Sequence, residues 1–363
     1  MQKTPSKKIL FLSPYPVNKA PSQRLKYEQY YPFFEQEGYE ITTSSFVDDA
    51  FWKIIYKEGN FFLKGLYAFK GYLRRTFDLF RVRKYDVVYI HLWATPLGIP
   101  LFERLFAWSA KKIVYDIDDL IFLGHSSDAN KKSEFLKGKA KAILLMKKAD
   151  HVITCTPKLD EFVREYNSNT TDISSTINTD IYKAKQNYEL KEKIVLGWSG
   201  SHSTSRFLHL LDQVLIDLKA NLNFELRVIG DADFKLDSIS LKAIAWNADR
   251  EVEDLSKIDI GLYPLPDEPW VYGKSGLKAL QYMALGIPTI ATAIGANYRV
   301  ITDEENGFLV NTAEEWKERV IRLVNDKNLR EKIGRKGREH VEQRFSLHAN
   351  KDKYLHILKN LTS

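Results

Sequence analysis

The stretch 264–292, PLPDEPWVYGKSGLKALQYMALGIPTIAT, decides how the chain around it folds. The apolar segment IDIGLY precedes it and predicts a buried strand. Apolar residues then recur from Leu277 at helical spacing, and Gly286 followed by Pro288 is typical of a helix end. A second apolar segment, 288–292, predicts another buried strand. This order of strand, loop, helix and strand is typical of a parallel α/β sheet.

The junction between this loop and helix carries candidate binding residues. The first turn of a helix leaves backbone N–H groups unpaired and has a partial positive charge. Gly276 would let an anion approach that backbone, and Lys274 adds a full positive charge beside it. Lys274, Lys278 and Gln281 share one helix face, so two ammonium groups are followed by an amide. A diphosphate joined to a ribose matches that order; a capped surface helix with solvated lysines is the alternative.

Length and composition predict a globular protein of two domains. The 363 residues are 44% hydrophobic and 28% charged, which is enough for two cores. The single cysteine, Cys155, fits a reducing cytosol, and we expect no signal peptide or membrane-spanning segment. The net charge of +7 suits an anionic partner without choosing among nucleotides, phospholipids and nucleic acid.

The first half of the chain alternates predicted strands and helices. Segment 8–13 (KILFLS) predicts a buried strand, and 22–36 predicts an amphipathic helix. In a doubly wound sheet, ligands bind at the carboxyl ends of the strands. Three residues at the helix start are therefore candidates for an acceptor or sugar contact: Ser22, Gln23 and Arg24. The alternative for Ser22 is a simple helix N-cap.

Two further strands end in polar residues. Segment 86–91 (DVVYIH) ends in His91, which is a further candidate for an acceptor or sugar contact. Segment 112–116 (KIVYD) ends in Asp116, and Asp118 follows it closely. Because carboxylates at a strand's end face the ligand crevice, both aspartates are candidate catalytic residues. They also match a short Asp-x-Asp metal pattern, but that pattern is common by chance, so we expect no metal.

A new domain begins after the Ser-, Thr- and Asn-rich segment 167–187. We predict domains at 1–183 and 184–344, with the C-terminal helix at about 345–363 completing the first. Strands are predicted at 194–198, 224–230 and 244–248, and helices over the whole of 313–363. Candidate ligand contacts follow the first two of these strands: Gly200, Ser201, Arg206 and Gly230.

Segment 51–85 is strongly basic and aromatic. It holds nine Lys or Arg against Glu58 and Asp78, which equals the net charge of the chain, with eleven aromatic residues interleaved. Such a segment can lie in an anionic membrane interface, with lysines reaching the headgroups. The alternative is an ordinary helix that packs its aromatics on the sheet. Nucleic acid is a third option, but no recognised binding motif supports it.

Taken together, these motifs resemble a retaining glycosyltransferase of the GT-B fold, in the large family four that builds bacterial polysaccharides and glycolipids. The markers in the first half are ILFLSPYP, VVYIH, IVYDIDDLIF, ADHVITCTPKLDEF and INTDIY. Those in the second half are LGWSGSHST, DIGLYPLPDEPW, GKSGLKALQYMALGIPTIAT and NGFLV. The resemblance covers nearly the whole chain and does not specify a donor or an acceptor.

The resemblance implies two Rossmann-like domains facing a central cleft, with a UDP- or GDP-sugar held mainly by the second. It implies transfer with retention, without metal or cofactor, to a polysaccharide or lipid-linked acceptor in cell-envelope synthesis. From the single cysteine and from segment 51–85, rather than from the resemblance, we expect a cytoplasmic protein that can bind peripherally to the inner face of the plasma membrane. The diphosphate would be held by backbone N–H groups of Ser275, Gly276 and Leu277, with Lys274 stabilising its charge.

This sequence departs from the family at several positions. The family's glutamate pair is replaced by Gly273 and Gln281, of which Gln281 can still bond a ribose diol. An expected arginine and lysine are also missing, and Ser201, Ser203, Ser205 and Arg206 stand in their region. Two alternatives stay open. One is an inactive GT-B protein that binds a nucleotide-sugar or glycan as a partner subunit. The other is an epimerase using the carboxylates of 116–119.

Overall fold

The computed structural model describes residues 6–118, 138–237 and 239–363. The chain divides into two compact units, Met1–Ser175 with Asn350–Ser363, and Thr176–Ala349. The first boundary lies before the predicted position at 183, and the second lies after the predicted start of the C-terminal helix at 345. Asp119, one of the carboxylates of 116–119, lies outside the described residues.

The first unit is built on a six-stranded parallel sheet in the order β2-β1-β3-β4-β5-β6. Its strands are β1 Lys7–Ser13, β2 Tyr39–Ser45, β3 Val87–His91, β4 Ile113–Asp116, β5 His151–Thr154 and β6 Thr170–Asp172. The central strands are buried on both faces, which explains their nearly continuous apolar sequences. The chain order reverses between β1 and β3, where such sheets bind ligands.

Helices connect these strands. They are α1 Pro21–Arg24, α2 Tyr31–Gln36, α3 Asp49–Ile55, α4 Phe61–Arg81, α5 Leu101–Ser109, α6 Lys139–Lys148 and α7 Pro157–Arg164. The single helix predicted at 22–36 is divided, with a 3-10 turn at Glu28–Tyr30 between α1 and α2. Pro32 lies in the first turn of α2, where a missing N–H costs nothing, whereas it would interrupt a longer helix.

The second unit repeats the plan with a parallel sheet in the order β12-β11-β10-β7-β8-β9. Its strands are β7 Ile194–Ser199, β8 Phe224–Ile229, β9 Leu241–Ile244, β10 Ile260–Tyr263, β11 Thr289–Thr292 and β12 Phe308–Val310. The strand predicted at 244–248 is therefore β9, displaced toward the N-terminus. The order reverses between β7 and β10, so the crevice at their carboxyl ends is the expected ligand position.

The helices of this unit cover both faces of the sheet. They are α8 His202–Ser205, α9 Asp212–Lys219, α10 Glu251–Ser256, α11 Leu277–Ala284, α12 Asn297–Val300, α13 Ala313–Asn325 and α14 Lys327–His340. One apolar cluster packs around Trp198 and Trp316, and a second packs around Tyr282. The final helix, α15 Leu347–Thr362, continues into the first unit from Asn350.

The predicted fold class is confirmed, since both units are doubly wound α/β units with parallel sheets. Over the described ranges, no helix combines the length and the apolar character needed to cross a membrane.

Candidate functional site

The predicted loop-to-helix junction is a tight turn at the start of α11. A 3-10 segment, Pro269–Gly273, leads into it, and Gly276 takes a left-handed conformation with φ 74°. A Cβ at Gly276 would lie 2.9 Å from Val300 Cγ2, so only glycine fits here. The N-cap residue of α11 is Gly276, which makes no side-chain cap hydrogen bond. The backbone N–H groups in the first turn of α11 can therefore donate hydrogen bonds to an anion.

Lys278 reaches from the first turn of α11 to the crevice between β7 and β10. Its Nζ lies 4.6 Å from the Trp198 ring centroid and 5.4 Å from that of Tyr263, residues of those two strands. The ammonium group donates a long hydrogen bond to Thr204 Oγ1 at 3.4 Å. Within 6–118, 138–237 and 239–363 no carboxylate pairs with this ammonium group. Burial, with a smaller contribution from Lys274, lowers the pKa of Lys278 to about 7.

Lys274 and Arg206 are brought together by two aromatic rings. Lys274 Nζ lies 5.5 Å from the Trp270 ring, which stacks on Phe207 at 5.3 Å between centroids. Arg206 Cζ lies 5.0 Å from the Phe207 ring. Each cation is therefore held by a ring face, and the charge stays partly exposed. The structure thus places two predicted donor-binding residues, far apart in sequence, in one cluster.

Gly200 and Gly230 mark a close approach of two backbone segments at the ends of β7 and β8. Gly230 has φ 113°, and a Cβ there would lie 1.7 Å from the carbonyl oxygen of Gly200. At Gly200, an added Cβ would lie 2.8 Å from Lys278 Cε. Both glycines are required by packing, and their contact with a ligand stays a prediction.

A cavity of about 620 Å3 opens beside α8. It is lined by His202, Ser203, Ser205, Arg206, His209, Asp231, Asp233, Phe234 and Lys235. The buried Asp231 accepts a hydrogen bond from Ser205 Oγ, and its Oδ1 lies 3.1 Å from His202 Nδ1. The hydrogen bond between His202 and Asp231, together with the charge of Asp231, raises the pKa of His202. Sequence reasoning missed both residues, although the Gly-Asp pair after FELRVI gave a signal.

Gln281 lies in a buried hydrogen-bonded cluster. Its Nε2 donates to Tyr182 Oη at 2.9 Å and to Glu251 Oε1 at 3.3 Å. Glu251 also accepts from Trp246 Nε1 at 3.0 Å and from Tyr182 Oη at 3.0 Å. The amide nitrogen of Gln281 is therefore engaged within the protein, and its ribose contact stays a prediction. Sequence reasoning missed Glu251, because nothing near it in sequence indicates these partners.

Asp116 does not fit the catalytic role predicted for it. Its carboxylate is fully buried and pairs with the fully buried ammonium of Lys26, while Tyr89 Oη donates to its other oxygen. Burial alone would raise the pKa of Asp116, but Lys26 and His91 hold it below its usual value. A carboxylate enclosed in this way stabilises the first unit and does not reach a substrate. Asp118, half-buried and 3.7 Å from Lys26 Nζ, stays a candidate.

The predicted acceptor-side residues are mostly enclosed as well. Gln23 is fully buried and its amide bonds the backbone N–H and carbonyl of Tyr15, so it shapes the loop rather than contacting a ligand. His91 is also fully buried, with Nδ1 3.8 Å from Asp116 Oδ1. Ser22 is not the N-cap of α1, because Ala20 occupies that position. Ser22 and Arg24 are half-buried, and their role is untested.

Comparison with known proteins gives one family match and consistent structural neighbours. Residues 183–340 match the family model of glycosyl transferases group 1. The capsular polysaccharide biosynthesis glycosyltransferase CapM of Staphylococcus aureus is 25% identical over 182 residues, 46% of this chain and 47% of CapM. That match thus spans about half the length of either protein.

Two solved structures resemble the chain over nearly its full length. HepE of Anabaena, in complex with UDP and glucose, has a TM-score of 0.71 at 16% identity, covering 98% of this chain and 100% of HepE. Sucrose-phosphate synthase from Thermosynechococcus elongatus has a TM-score of 0.64 at 15% identity, covering 98% and 99% of the two chains.

These likenesses define the chain first as a protein of the GT-B fold, built from two Rossmann-like α/β units. More closely, residues 183–340, which lie within the second unit, are similar to the glycosyl transferases group 1 family. The resemblance to glycosyltransferases of the GT-B fold is therefore confirmed.

Proposed function

We propose that the chain is a glycosyltransferase that takes a sugar from a nucleoside-diphosphate sugar and passes it to a glycan or lipid-linked acceptor. The observation that carries this proposal is Lys278, a cation without an acidic partner in the described ranges, at the crevice between β7 and β10. It lies beside the uncapped start of α11. A cation held in this way lacks a counter-charge, which a diphosphate would supply.

The chemistry of transfer needs these groups. As the sugar leaves, negative charge builds on the diphosphate, and fixed positive groups lower the barrier where that charge develops. Lys278 and the first turn of α11 would act on the diphosphate, and Lys274 and Arg206 would add to the positive potential. With these cations present we propose transfer without a metal. We also propose retention, as in family four, with the leaving phosphate accepting the acceptor's proton.

The relatives support the choice of donor and acceptor. HepE is solved with UDP and glucose, which favours a uridine donor over a guanosine one. CapM is named for capsular polysaccharide biosynthesis, which favours a polysaccharide acceptor in the cell envelope. Because the curated match spans about half of CapM, both choices are proposals for this chain.

Calorimetry with UDP, GDP and UDP-glucose tests the donor site. The wild-type chain should bind UDP and UDP-glucose more tightly than GDP, and Lys278→Met should weaken UDP binding about tenfold or more. Lys332→Met, at an exposed position of α14, is the matched control and should bind normally. Equal UDP affinity in Lys278→Met and the wild type would contradict the role of Lys278 in diphosphate binding, on which the proposal rests.

Turnover of UDP-glucose separates the enzyme from the inactive binding subunit. Slow release of UDP from UDP-glucose, accelerated by an added glycan acceptor, is expected of the transferase. Tight binding without release under any acceptor would favour the binding subunit. The epimerase alternative relied on the carboxylates of 116–119, of which Asp116 is enclosed in the first unit. Analysis of the products formed without any acceptor separates an epimerase from a transferase.

A further inference from the structure

Helix α4 buries charged side chains on its inner side. The residues that it buries are Gly71, Arg75 and Asp78. The guanidinium of Arg75 donates to three backbone carbonyl oxygens, those of Ser13, Ser44 and Ala94, at 2.7–3.0 Å. It also pairs with Asp78 Oδ2 at 3.1 Å, so the buried charges compensate each other. The inner side of α4 is thus held by buried charges and hydrogen bonds as well as by the contacts of Ala68 and Tyr72 with the apolar cluster around Phe46.

The opposite side of α4 is apolar and faces outward. Six large residues at intervals of three and four form one stripe, and between 44% and 89% of each is exposed: Phe62, Leu66, Phe69, Leu73, Phe77 and Phe80. From the first to the last the stripe is about 27 Å long at 1.5 Å per residue. Phe51 and Tyr67 do pack inward, where they stack on each other in a small cluster with Phe46 and Val47. The residues of the stripe do not, so the alternative of aromatics packed on the sheet does not describe them.

The apolar surface continues onto the segment that follows β3. Its exposed members are Leu97, Ile99, Leu101, Leu105 and Trp108, the last with 77% of its surface free. The two elements are joined directly, since the rings of Tyr72 and Phe102 lie 5.8 Å apart and Tyr72 Oη donates to the carbonyl of Leu97. We call the stripe and this extension the α4–α5 surface. Its second half was not indicated by the sequence.

Cations border the α4–α5 surface. Lys70 Nζ lies 5.1 Å from the Tyr67 ring, and Arg83 Cζ lies 5.6 Å from the Trp108 ring. Lys53, Lys57, Lys64 and Lys84 also belong to 51–85, in which Glu58 is the single acid besides the buried Asp78. Aromatic and aliphatic side chains edged by basic ones match the layers of an anionic bilayer, in which apolar groups enter the acyl boundary and cations meet phosphates.

We propose that the α4–α5 surface docks the protein on an anionic phospholipid bilayer, with α4 lying along the interface. The positive border favours this occupant over a second copy of the chain, because two such borders would repel each other in a symmetric contact. This inference concerns the first unit and does not depend on the donor site in the second.

Vesicle sedimentation of the full chain tests the proposal. The wild type should bind vesicles of phosphatidylcholine mixed with phosphatidylglycerol, weakly bind pure phosphatidylcholine, and lose binding as salt is added. Phe62→Ser with Phe80→Ser should reduce binding to the mixed vesicles about tenfold or more. Because both residues are exposed, the variant should fold normally and bind UDP as the wild type does.

Matched controls complete the design. Ile181→Ser with Leu210→Ser removes two apolar residues of the second unit that are more than half exposed and should leave vesicle binding unchanged. Lys70→Gln with Arg83→Gln should lower binding to the mixed, anionic vesicles and leave the weak binding to pure phosphatidylcholine vesicles unchanged. Equal vesicle binding by the Phe62/Phe80 variant and the wild type would overturn the proposal. If that variant instead changed the molar mass in solution, the surface would be a contact between copies.

Discussion

Lys278→Arg should separate the charge of this side chain from its titration. In the wild type the pKa of Lys278 is lowered to about 7, chiefly by burial between two aromatic rings. At pH 8 roughly 90% of such a group is neutral. An arginine at the same place stays charged throughout this range and can also stack on the rings. Comparing UDP binding by the wild type and by Lys278→Arg at several pH values therefore measures the protonation of Lys278 that accompanies diphosphate binding.

The size of the effect follows from the lowered pKa. If bound UDP restores an ordinary lysine pKa, the wild type takes up about 0.9 proton on binding at pH 8. Its dissociation constant should then rise about tenfold per pH unit above pH 7. Lys278→Arg should bind with a constant that changes little from pH 7 to pH 9, and Lys278→Met should bind weakly at every pH.

Calorimetry in two buffers of different ionisation enthalpy measures this proton uptake directly. The stability of the unliganded protein supplies a second readout. Because the folded pKa lies below the unfolded one, the unfolded chain binds the extra proton between about pH 7 and 10.4. The free energy of unfolding should rise with pH in that window, by roughly 1 kcal/mol per unit, relative to Lys278→Met. Absence of proton uptake together with a flat wild-type affinity would refute the reasoning.

Three further predictions test the supporting structure. Gly230→Ala should lower the free energy of unfolding by about 3 kcal/mol or more. Gly38 also has a positive φ but open space around an added Cβ, so Gly38→Ala should cost about 1–2 kcal/mol. Equal losses for the two variants in urea denaturation would contradict the close backbone approach. Asp116→Asn should destabilise the chain by up to about 3–5 kcal/mol, because the buried Lys26 would keep only the more distant carboxylate of Asp118, at 3.7 Å. Adding Lys26→Met should recover most of the loss. A stable Asp116→Asn variant without turnover would return Asp116 to the catalytic site. Glu251→Gln should lower the free energy of unfolding by about 1–3 kcal/mol. It should also alter the fluorescence of Trp246, whose indole N–H donates to Glu251, and an unchanged emission spectrum would argue against that hydrogen bond.

The sequence predicted the central strands well and the edge strands poorly, for a physical reason. Strands in the middle of a parallel sheet are buried on both faces, so β1, β3 and β8 appear as apolar runs and were found nearly to the residue. An edge strand keeps one side in solvent and carries mixed residues. The edge strands β2 and β6 were accordingly not predicted, and β9 was misplaced.

The same division applies to the candidate site. The start of α11 was predictable, because a helix N-terminus with glycine and lysine is local in sequence. Pairings between distant segments were not predictable, such as Lys278 on Trp198 or Gln281 with Glu251. The enclosure of Asp116 by Lys26 also required the fold, since a carboxylate after a strand has the same sequence whether it meets a substrate or a buried ammonium.

The placement of α15 has a consequence for how the molecule can be made. Tyr354 packs on Tyr30 with 4.5 Å between ring centroids, and Lys359 pairs with Glu37 at 2.6 Å. The first unit is therefore assembled from both ends of the chain, while the second is one uninterrupted segment. On the ribosome, 176–349 emerges whole before the opening half receives its last helix. A fragment ending at 175 should thus expose the surface around Tyr30 and aggregate, whereas a circular permutant joining 350–363 ahead of residue 6 should restore it.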